Sequence, residues 1–526
     1  MANKLYNETS VQNIANAIRN KNGTANTYTI GEMANAILEL PSGGAPAEDV
    51  VFYDYDGTVI ATYSKNDFAN LSSMPANPTH TGLTSQGWNW TLSDAKAYVS
   101  AYGGLDIGQM YVTSNGATKI YVSLDDTTLK PYLGFAINGT ATVDWGDGNT
   151  ETVTGTSTTT VVNTQHIYSQ AGDYVISISS STDIYFIGAS TGSKILWKNS
   201  NVSGANRGYN SCIKKVEIGN NMTSIDNYAF QYCAGLETIT IPNTITSIGT
   251  YSFAYCFTLK SILFPTGMTS IGNYCMTNCY QLYNISLPKN LANIGNNVFA
   301  VSSISKIYFP NNNNITLGTQ ILSSCSNIKT IVFPNEITNI PDSTYSSCNS
   351  LPYYEIPSTI TTIGTYVFQN CIRLEYITIP NTITSIGAGC FYSCSSLSEL
   401  TLPSTITSLG NSLFNGCYAL TGITIPSTVT TIGTSVFSGC ACLTKLVFPS
   451  GLVSIAASAF SNCSSIEYFD FSDCNSIPSL ANKNAFSGMS TDCKIIVPDN
   501  LYNSWIGASN WSNYASYIIK ESDWND

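Results

Sequence analysis

Histidine and charged side chains are scarce in this sequence. Among 526 residues only His80 and His166 are histidines, and Asp, Glu, Lys and Arg together make up 10%, against about 25% in ordinary soluble proteins. Catalysis by histidine and metal centres built from several histidines are therefore not expected. The net charge of −12 argues against a nucleic-acid partner, because binding to phosphates needs clustered Lys and Arg.

Long apolar segments are also missing. The sequence has no run of 18 apolar residues, so we expect no membrane insertion. The first ten residues, MANKLYNETS, contain no apolar core of a secretory signal. We therefore expect the chain to be made and to mature in the cytosol, where its 16 cysteines stay reduced.

A repeat of about 23 residues fills the second half of the sequence. Ten prolines, each after an apolar residue, stand 22 to 24 residues apart, and one unit reads IGTYVFQNCIRLEYITIPNTITS, residues 363–385. The prolines are Pro242, Pro265, Pro288, Pro310, Pro334, Pro357, Pro380, Pro403, Pro426 and Pro449. Spacing this regular indicates a repeat architecture.

Apolar residues recur six, three and one positions before each proline, as in Leu374, Ile377 and Ile379. This alternation predicts a short strand with one buried face, which the proline ends. One unit is too small to bury its own apolar face, so the units are expected to stack into a solenoid. A recurring phenylalanine, such as Phe368, is predicted to fill the opposite side of each coil.

Ten cysteines share one position of the repeat. A metal ladder or a disulfide staple is one interpretation, but metal sites use clustered spacings such as C-x2-C, which this repeat lacks. We therefore predict a column of buried structural thiols that pack as small hydrophobes. They are Cys233, Cys256, Cys279, Cys325, Cys348, Cys371, Cys394, Cys417, Cys440 and Cys463.

The repeat resembles the BspA-type leucine-rich repeats, whose consensus is close to IGxxxFxxCxxLxxIxIPxxITS. The resemblance implies a curved solenoid of the kind found on surface adhesion proteins, without enzymatic activity. We assign residues 201–469 to this solenoid. Residues 470–526, which include VPDNLYNSWIGASNWSNYASYI at 497–518, are predicted to form the C-terminal cap that an exposed last coil needs.

Residues 1–44 are predicted to form a helical anchor followed by a linker. Two short amphipathic helices, at about 8–20 and 30–40, are too short to be stable alone and must dock on another surface. The segment resembles small N-terminal modules of structural proteins in tailed phages, with the pattern IAxAIRxKxGTxxTYTxxEMAxAI. The candidate anchor residues are Val11, Ile14, Ile18, Met33, Ile37 and Leu38.

Residues 45–117 are predicted to be a small β/α module that opens with a hairpin. VFYDYDGTVI, residues 51–60, matches the D-x-D-G-T motif of haloacid-dehalogenase-type phosphatases, in which Asp54 would be the nucleophile and Asp56 the acid/base. However, β-branched residues follow Thr58, and no β-α-β alternation is visible, as that fold would require. We therefore interpret Asp56-Gly57 as a hairpin turn and predict no enzymatic activity. LSDAKAYVSAY, residues 92–102, is predicted to be a helix.

Residues 118–200 resemble a PKD-type β-sandwich. The shared pieces are W-G-D-G at 145–148, the His166 and Tyr168 pair, and A-G-D-Y at 171–174. Asp144 and Asp147 could bind calcium, although a role in the turn is favoured. His166 is expected to pack inside the sandwich, and we predict no cofactor and no metal.

The fold class predicted from the sequence is therefore mainly β: a helical anchor, small β modules including the sandwich, and a capped solenoid. We predict a non-enzymatic adhesion or receptor-binding protein attached to a virion, as a tail or head fibre or decoration. The N-terminus would contact other virion proteins, and the repeats would contact a host-surface glycan or protein; a homo-oligomer is compatible with this arrangement. The contact candidates on the strands are Tyr283, Lys306, Tyr308, Tyr353, Tyr376, Glu399 and Lys445. Two alternatives are a bacterial cell-surface adhesin and a purely structural virion decoration.

Overall fold

The computed structural model describes residues 49–189, 195–196 and 210–524, and these residues are mainly β. The predicted anchor, with Val11, Ile14, Ile18, Met33, Ile37 and Leu38, lies outside the described residues. None of the helices among the described residues has the length and apolar character needed to span a bilayer.

Residues 49–113 form a four-stranded sheet with two helices, called the module below. Its elements are β1 (Asp49–Tyr53), β2 (Val59–Ser64), α1 (Lys65–Ala69), β3 (Leu83–Trp88), α2 (Leu92–Tyr102) and β4 (Leu105–Thr113), and the strand order is β2-β1-β4-β3. The hairpin prediction is confirmed, since β1 and β2 pair antiparallel. The expectation that β-α-β order is absent is wrong in one respect, because β1 also pairs parallel with β4.

Helix α2 has the bounds that the sequence predicts, and its N-terminus is capped. The Thr91 hydroxyl accepts a hydrogen bond from the Asp94 backbone N–H at 3.1 Å, which satisfies one of the orphan donors of the first turn. Ala95, Tyr98 and Val99 form its buried stripe. This stripe faces the apolar cluster of the module, and Tyr98 extends from it to the solenoid.

The region that resembles a PKD-type sandwich forms a single sheet in its described residues. The strands are β5 (Thr118–Leu124), β6 (Tyr132–Asp144), β7 (Thr150–Gln165), β8 (Gly172–Ser180) and β9 (Ile184–Tyr185). They follow the order β5-β8-β6-β7, with β9 beside β6, and β5 continues the sheet into the first solenoid strand, β10 (Ile213–Glu217). The sheet therefore pairs with the first edge of the solenoid, an edge that would otherwise expose unpaired backbone groups.

The solenoid contains two parallel strand ladders. The first ladder consists of strands just before the repeat prolines and their continuation in the cap: Thr238–Thr240, Ser261–Leu263, Asn284–Ser286, Lys306–Tyr308, Thr330–Val332, Tyr353–Glu355, Tyr376–Thr378, Glu399–Leu400, Lys445–Val447, Tyr468–Asp470, Lys494–Val497 and Ile518–Lys520. The second ladder consists of two-residue strands: Ser247–Ile248, Ser270–Ile271, Asn293–Ile294, Thr316–Leu317, Asn339–Ile340, Thr362–Ile363, Ser385–Ile386, Ser408–Leu409, Thr431–Ile432, Ser454–Ile455 and Ser479–Leu480.

The core runs without interruption from the sheet through the solenoid to the C-terminal residues. Phenylalanine rings stack in a column with centroids 5.4 to 5.7 Å apart from Phe368 to Phe460. Trp505 of α3 (Tyr502–Trp505) and Trp511 of the 3₁₀ helix Trp511–Tyr514 close the core at its end, and a second 3₁₀ helix spans Glu521–Asp523. The two buried tryptophans thus pack over the last coil, and the division of the chain at residue 470 stays a prediction.

Candidate ligand-binding face

The outward surface of the first ladder is called the strand face. It consists of the side chains four and two residues before each repeat proline, because strand alternation turns the residues three and one before the proline inward. In one repeat Ile377 and Ile379 are buried, while Tyr376 between the buried rows is 50% exposed. The strand face divides into a covered half, residues 238–332, and an open half, residues 353–447.

The module lies on the covered half. Its buried donors form hydrogen bonds with backbone carbonyls of the solenoid. Each bond gives a partner to polar groups that are buried away from water. The contacts are Asn89 Nδ2 to Phe264 O at 3.0 Å, Trp90 Nε1 to Leu287 O at 3.0 Å, and Tyr98 Oη to Phe309 O at 2.7 Å.

The module and the covered half also share apolar contacts. Strand β4 comes so close at Gly108 that an added Cβ would lie 2.9 Å from Leu263 Cβ, so only glycine fits there. Tyr308 and Val332 belong to the same buried cluster as Phe52 of the module. The module is therefore packed against the solenoid as one domain is packed against another.

A buried ion pair lies in this interface. Lys306 Nζ is 2.6 Å from Asp106 Oδ1, and their side chains are only 18% and 3% exposed. Burial raises the pKa of Asp106 to about 6, although the neighbouring Lys306 ammonium opposes that rise. A second pair, Lys289 Nζ to Asp94 Oδ1 at 2.5 Å, is more exposed.

Two of the seven predicted contact residues are therefore not exposed. Lys306 is engaged by Asp106, and Tyr308 is 4% exposed beneath the module. The prediction treated every outward position of the repeat as accessible. It is wrong for these two, because residues about 200 positions earlier in the chain cover them.

The other five candidates reach solvent. Tyr376 and Glu399 are neighbours on paired strands of the open half, Tyr353 pairs with Tyr376, and Lys445 lies further along the same face. Tyr283 is 42% exposed, but it stands five residues before its proline, within the repeats that carry the module. The open half thus brings four of the seven predicted residues onto one surface.

A groove crosses the open half where the first ladder is interrupted. Residues 422–424 form no strand, although the equivalent residues of the neighbouring repeats do. The groove has a volume of about 920 Å³, and its lining includes Tyr376, Glu399, Ile423 and Lys445. Sequence reasoning did not single out Gly422, yet a glycine at a position that the other open-half repeats fill with Tyr, Glu or Lys was the available signal.

The aspartates of the W-G-D-G turn have structural partners. Asp144 Oδ1 accepts from the Gly146 N–H at 2.9 Å, and Asp147 Oδ2 lies 2.7 Å from His166 Nε2. Desolvation alone would raise the pKa of Asp147, but the hydrogen bonds from His166 and Asn149 lower it. The His166 ring stacks on Trp145 with centroids 4.9 Å apart. These contacts fit the favoured turn role and the packing role of His166.

The D-x-D-G-T motif closes the β1–β2 turn. Asp56 Oδ1 accepts from the Thr58 N–H at 2.9 Å, and the Asp54 carboxylate accepts from the Tyr55 N–H at 2.8 Å. The second Asp54 oxygen lies 2.7 Å from His80 Nε2, and Asp54 is 5% exposed. The motif therefore ties a turn to the segment that carries His80, which sequence reasoning did not connect to it.

The ten repeat cysteines are buried, as predicted, and each has a free thiol. Nine of them, from Cys256 to Cys463, donate their thiol to the carbonyl of the residue 26 positions earlier, at 3.0 to 3.2 Å. Burial raises the pKa of these thiols, as for Cys371, where it reaches about 12. No cluster of three or more His, Cys, Asp or Glu suited to a metal occurs in the described ranges.

Comparison with known protein families finds one match over this region. The sequence profile of the BspA type leucine rich repeat region matches residues 204–329, 315–442 and 407–517, which together span 204–517. That is 314 of 526 residues, or about 60% of the chain. No match is found among curated proteins.

Several solved structures resemble the chain. A leucine-rich repeat protein from Bacteroides ovatus is 23% identical over 58% of this chain and 88% of its own, with a TM-score of 0.42. A leucine rich cell surface protein from Faecalibacterium prausnitzii is 23% identical over 56% and 94%, with a TM-score of 0.39. The pneumococcal vaccine antigen PcpA is 17% identical over 58% and 77%, with a TM-score of 0.43.

Proposed function

The chain belongs to the BspA-type leucine-rich repeat family, and from that premise we propose that it is a non-enzymatic adhesion protein. Its open half is the surface that contacts a glycan or protein on a host cell. The observation that carries the proposal is the position of Tyr376, Glu399 and Lys445, all exposed, and of the half-buried Tyr353 on the open half, while the module covers the other half of the strand face. Aromatic and charged side chains on a rigid repeat surface suit a binding role.

The proposed carrier is a virion, as a tail or head fibre or decoration. The support is the resemblance of residues 1–44 to N-terminal modules of phage structural proteins, and these residues would dock on other virion proteins. The PKD-like resemblance of residues 118–200 adds a spacer domain of a kind suited to such a fibre. Mass spectrometry of purified particles tests this carrier, and the chain should appear there in stoichiometric amounts.

A bacterial cell-surface adhesin is the second candidate, and membership of the BspA-type family favours it. This candidate requires the chain on bacterial envelopes and its absence from purified particles. The same mass spectrometry on both fractions therefore separates the two candidates.

Adhesion by the open half is tested with the full chain and host cells. Replacing Tyr353 and Tyr376 together by Ala should lower cell binding at least tenfold, because both rings are lost from the proposed contact. Tyr280→Ala is the matched control, since Tyr280 is 52% exposed but lies outside the strand face. If the double variant binds host cells as well as the wild type does, the open half is not the binding site.

The absence of phosphatase activity is part of the proposal. It is supported by the engagement of Asp54 with His80 and by its burial, which leave the carboxylate in a turn. Turnover of a generic phosphomonoester with magnesium, lost in Asp54→Asn, would contradict it.

A further inference from the structure

We propose that the groove at Gly422 binds an oligosaccharide segment, so that the ligand of the open half is a glycan and not a protein. This inference rests on the proposed adhesion function and narrows it to one ligand class. It comes from an internal comparison, because the same repeat positions carry different side chains in the two halves of the strand face.

The covered half shows what this surface looks like when it faces protein. Of the five residues that stand two positions before its prolines, three are large and apolar, Leu263, Tyr308 and Val332, and two are hydroxyl residues, Thr240 and Ser286; all five are at most 7% exposed. The fully buried centre of a protein interface is more apolar than its rim.

At the same position, the open half carries hydroxyl groups. Three of its five residues there are threonines, Thr378, Thr401 and Thr424, and the last two are exposed; the other two are Glu355 and Val447. A threonine hydroxyl both donates and accepts hydrogen bonds. Those of Thr401 and Thr424 face solvent, whereas Ser286 of the covered half donates its hydroxyl to the Asp106 carbonyl of the module. The open half is therefore suited to a ligand rich in hydroxyl groups.

The groove adds shape to this chemistry. Gly422 leaves open space where its neighbours Glu399 and Lys445 carry long side chains, since an added Cβ would meet nothing within 4 Å. The resulting volume of about 920 Å³ falls within the roughly 300–1,000 Å³ of small-ligand sites. The groove is thus large enough for a short stretch of a polymer.

The walls of the groove supply the complementary groups. The Glu399 carboxylate accepts hydrogen bonds from sugar hydroxyls, and the Lys445 ammonium donates to them. The Tyr376 ring at one end and Val447, 48% exposed, at the other offer apolar surface to the C–H faces of sugar rings. Charges of both signs together with hydroxyl groups favour a neutral or zwitterionic polysaccharide.

The test uses the full chain and a panel of bacterial cells, from which a strain that the chain adheres to is selected. Cells of that strain are oxidised with periodate, which cleaves vicinal diols, or treated with protease, or left untreated. Periodate should lower adhesion at least tenfold, and protease should leave it within twofold. Adhesion that survives periodate and is lost with protease would assign a protein ligand and overturn the inference, while the proposed adhesion function stands.

A groove-filling variant tests the location. At Gly422 an added Cβ meets nothing within 4 Å, and the backbone is not in the left-handed region; Gly422→Trp should lower adhesion at least tenfold by occupying the groove. The matched control is Gly507→Trp in the C-terminal cap, which is exposed and meets its nearest atoms only at 3.9 Å, and which should keep adhesion within twofold. Unchanged adhesion in Gly422→Trp would overturn the site but not the function.

The double variant Glu399→Gln with Lys445→Met provides the same test without added bulk. Both side chains are exposed, so folding should be preserved even if Gly422→Trp proves unstable, and adhesion should again fall at least tenfold. A wild-type chain that adheres to no strain would overturn the proposed function and this inference together.

Discussion

The two halves of the strand face have the same backbone and opposite roles. In both, a three-residue strand precedes a proline and presents alternate side chains outward. Lys306 in the covered half and Lys445 in the open half stand at the same position of the repeat. Nevertheless Lys306 forms a buried ion pair with the module, whereas Lys445 is exposed near the Tyr468 ring, with Nζ 5.9 Å from its centroid. Repeat position thus determines the direction of a side chain, and the partner determines what it does.

The largest expected effect comes from removing a module side chain at the interface. Trp90 is 3% exposed and bonds to Leu287 O, so Trp90→Ala should lower the free energy of unfolding by about 3–5 kcal/mol. The open-half control Tyr376→Ala removes an exposed ring and should stay within about 0.5 kcal/mol. Chemical denaturation of both variants measures the difference.

Hydrogen exchange locates that effect. In Trp90→Ala, backbone amides of the covered half should lose protection, while those of the open half should keep it. Equal loss in both halves would show that the module stabilises the whole solenoid and not only the half that it covers.

A lysine pair compares the two halves at matched positions. Lys306→Met leaves the Asp106 carboxylate buried without its cation and should cost about 3 kcal/mol. Lys445→Met removes an exposed charge and should cost less than about 0.5 kcal/mol. Similar costs measured by thermal or denaturant unfolding would mean that the ion pair does not distinguish the halves.

Part of the pH dependence of stability should come from Asp106 in the interface of the covered half. Burial raises the folded-state pKa of Asp106 to about 6, above an unfolded value of about 3.9. The stability that this group contributes is therefore fully present below about pH 4 and is lost as pH rises through about 6. The advantage of the wild type over Asp106→Asn should shrink by about 1 kcal/mol per pH unit between pH 4 and 6.

Unfolding curves of the two proteins from pH 4 to 7 check this slope. A flat difference for Asp106→Asn would contradict the raised pKa.

The strands and the thiol column could be predicted from the sequence because both depend on contacts between neighbouring repeats. Each buried position recurs every 23 residues or so, and a thiol such as Cys371 meets the carbonyl of the preceding coil. The burial of Lys306 could not be predicted in the same way. Its partner Asp106 lies 200 residues away, and nothing within the repeat distinguishes Lys306 from Lys445.

The same limit applies to the sheet at residues 118–185. Its strands and the Asp144–Asp147 turn have local signals, but the choice of neighbouring strand does not. Strand β5 pairs with β10, about 95 residues later, and that long-range pairing joins the region to the solenoid. The groove at Gly422 could be predicted only in part. The sequence shows the glycine, but it does not show the gap in the ladder.

The smallest expected effect uses two valines at one repeat position. Val332 is 7% exposed beneath the module, and Val447 is 48% exposed in the open half. Val332→Thr places a hydroxyl in an apolar interface and should cost about 1–2 kcal/mol, whereas Val447→Thr should stay within about 0.5 kcal/mol. Because the two substitutions are chemically identical, any difference in the free energy of unfolding reports coverage by the module alone. Equal costs would mean that the module does not exclude water from Val332, and that the two halves differ less than their side chains indicate.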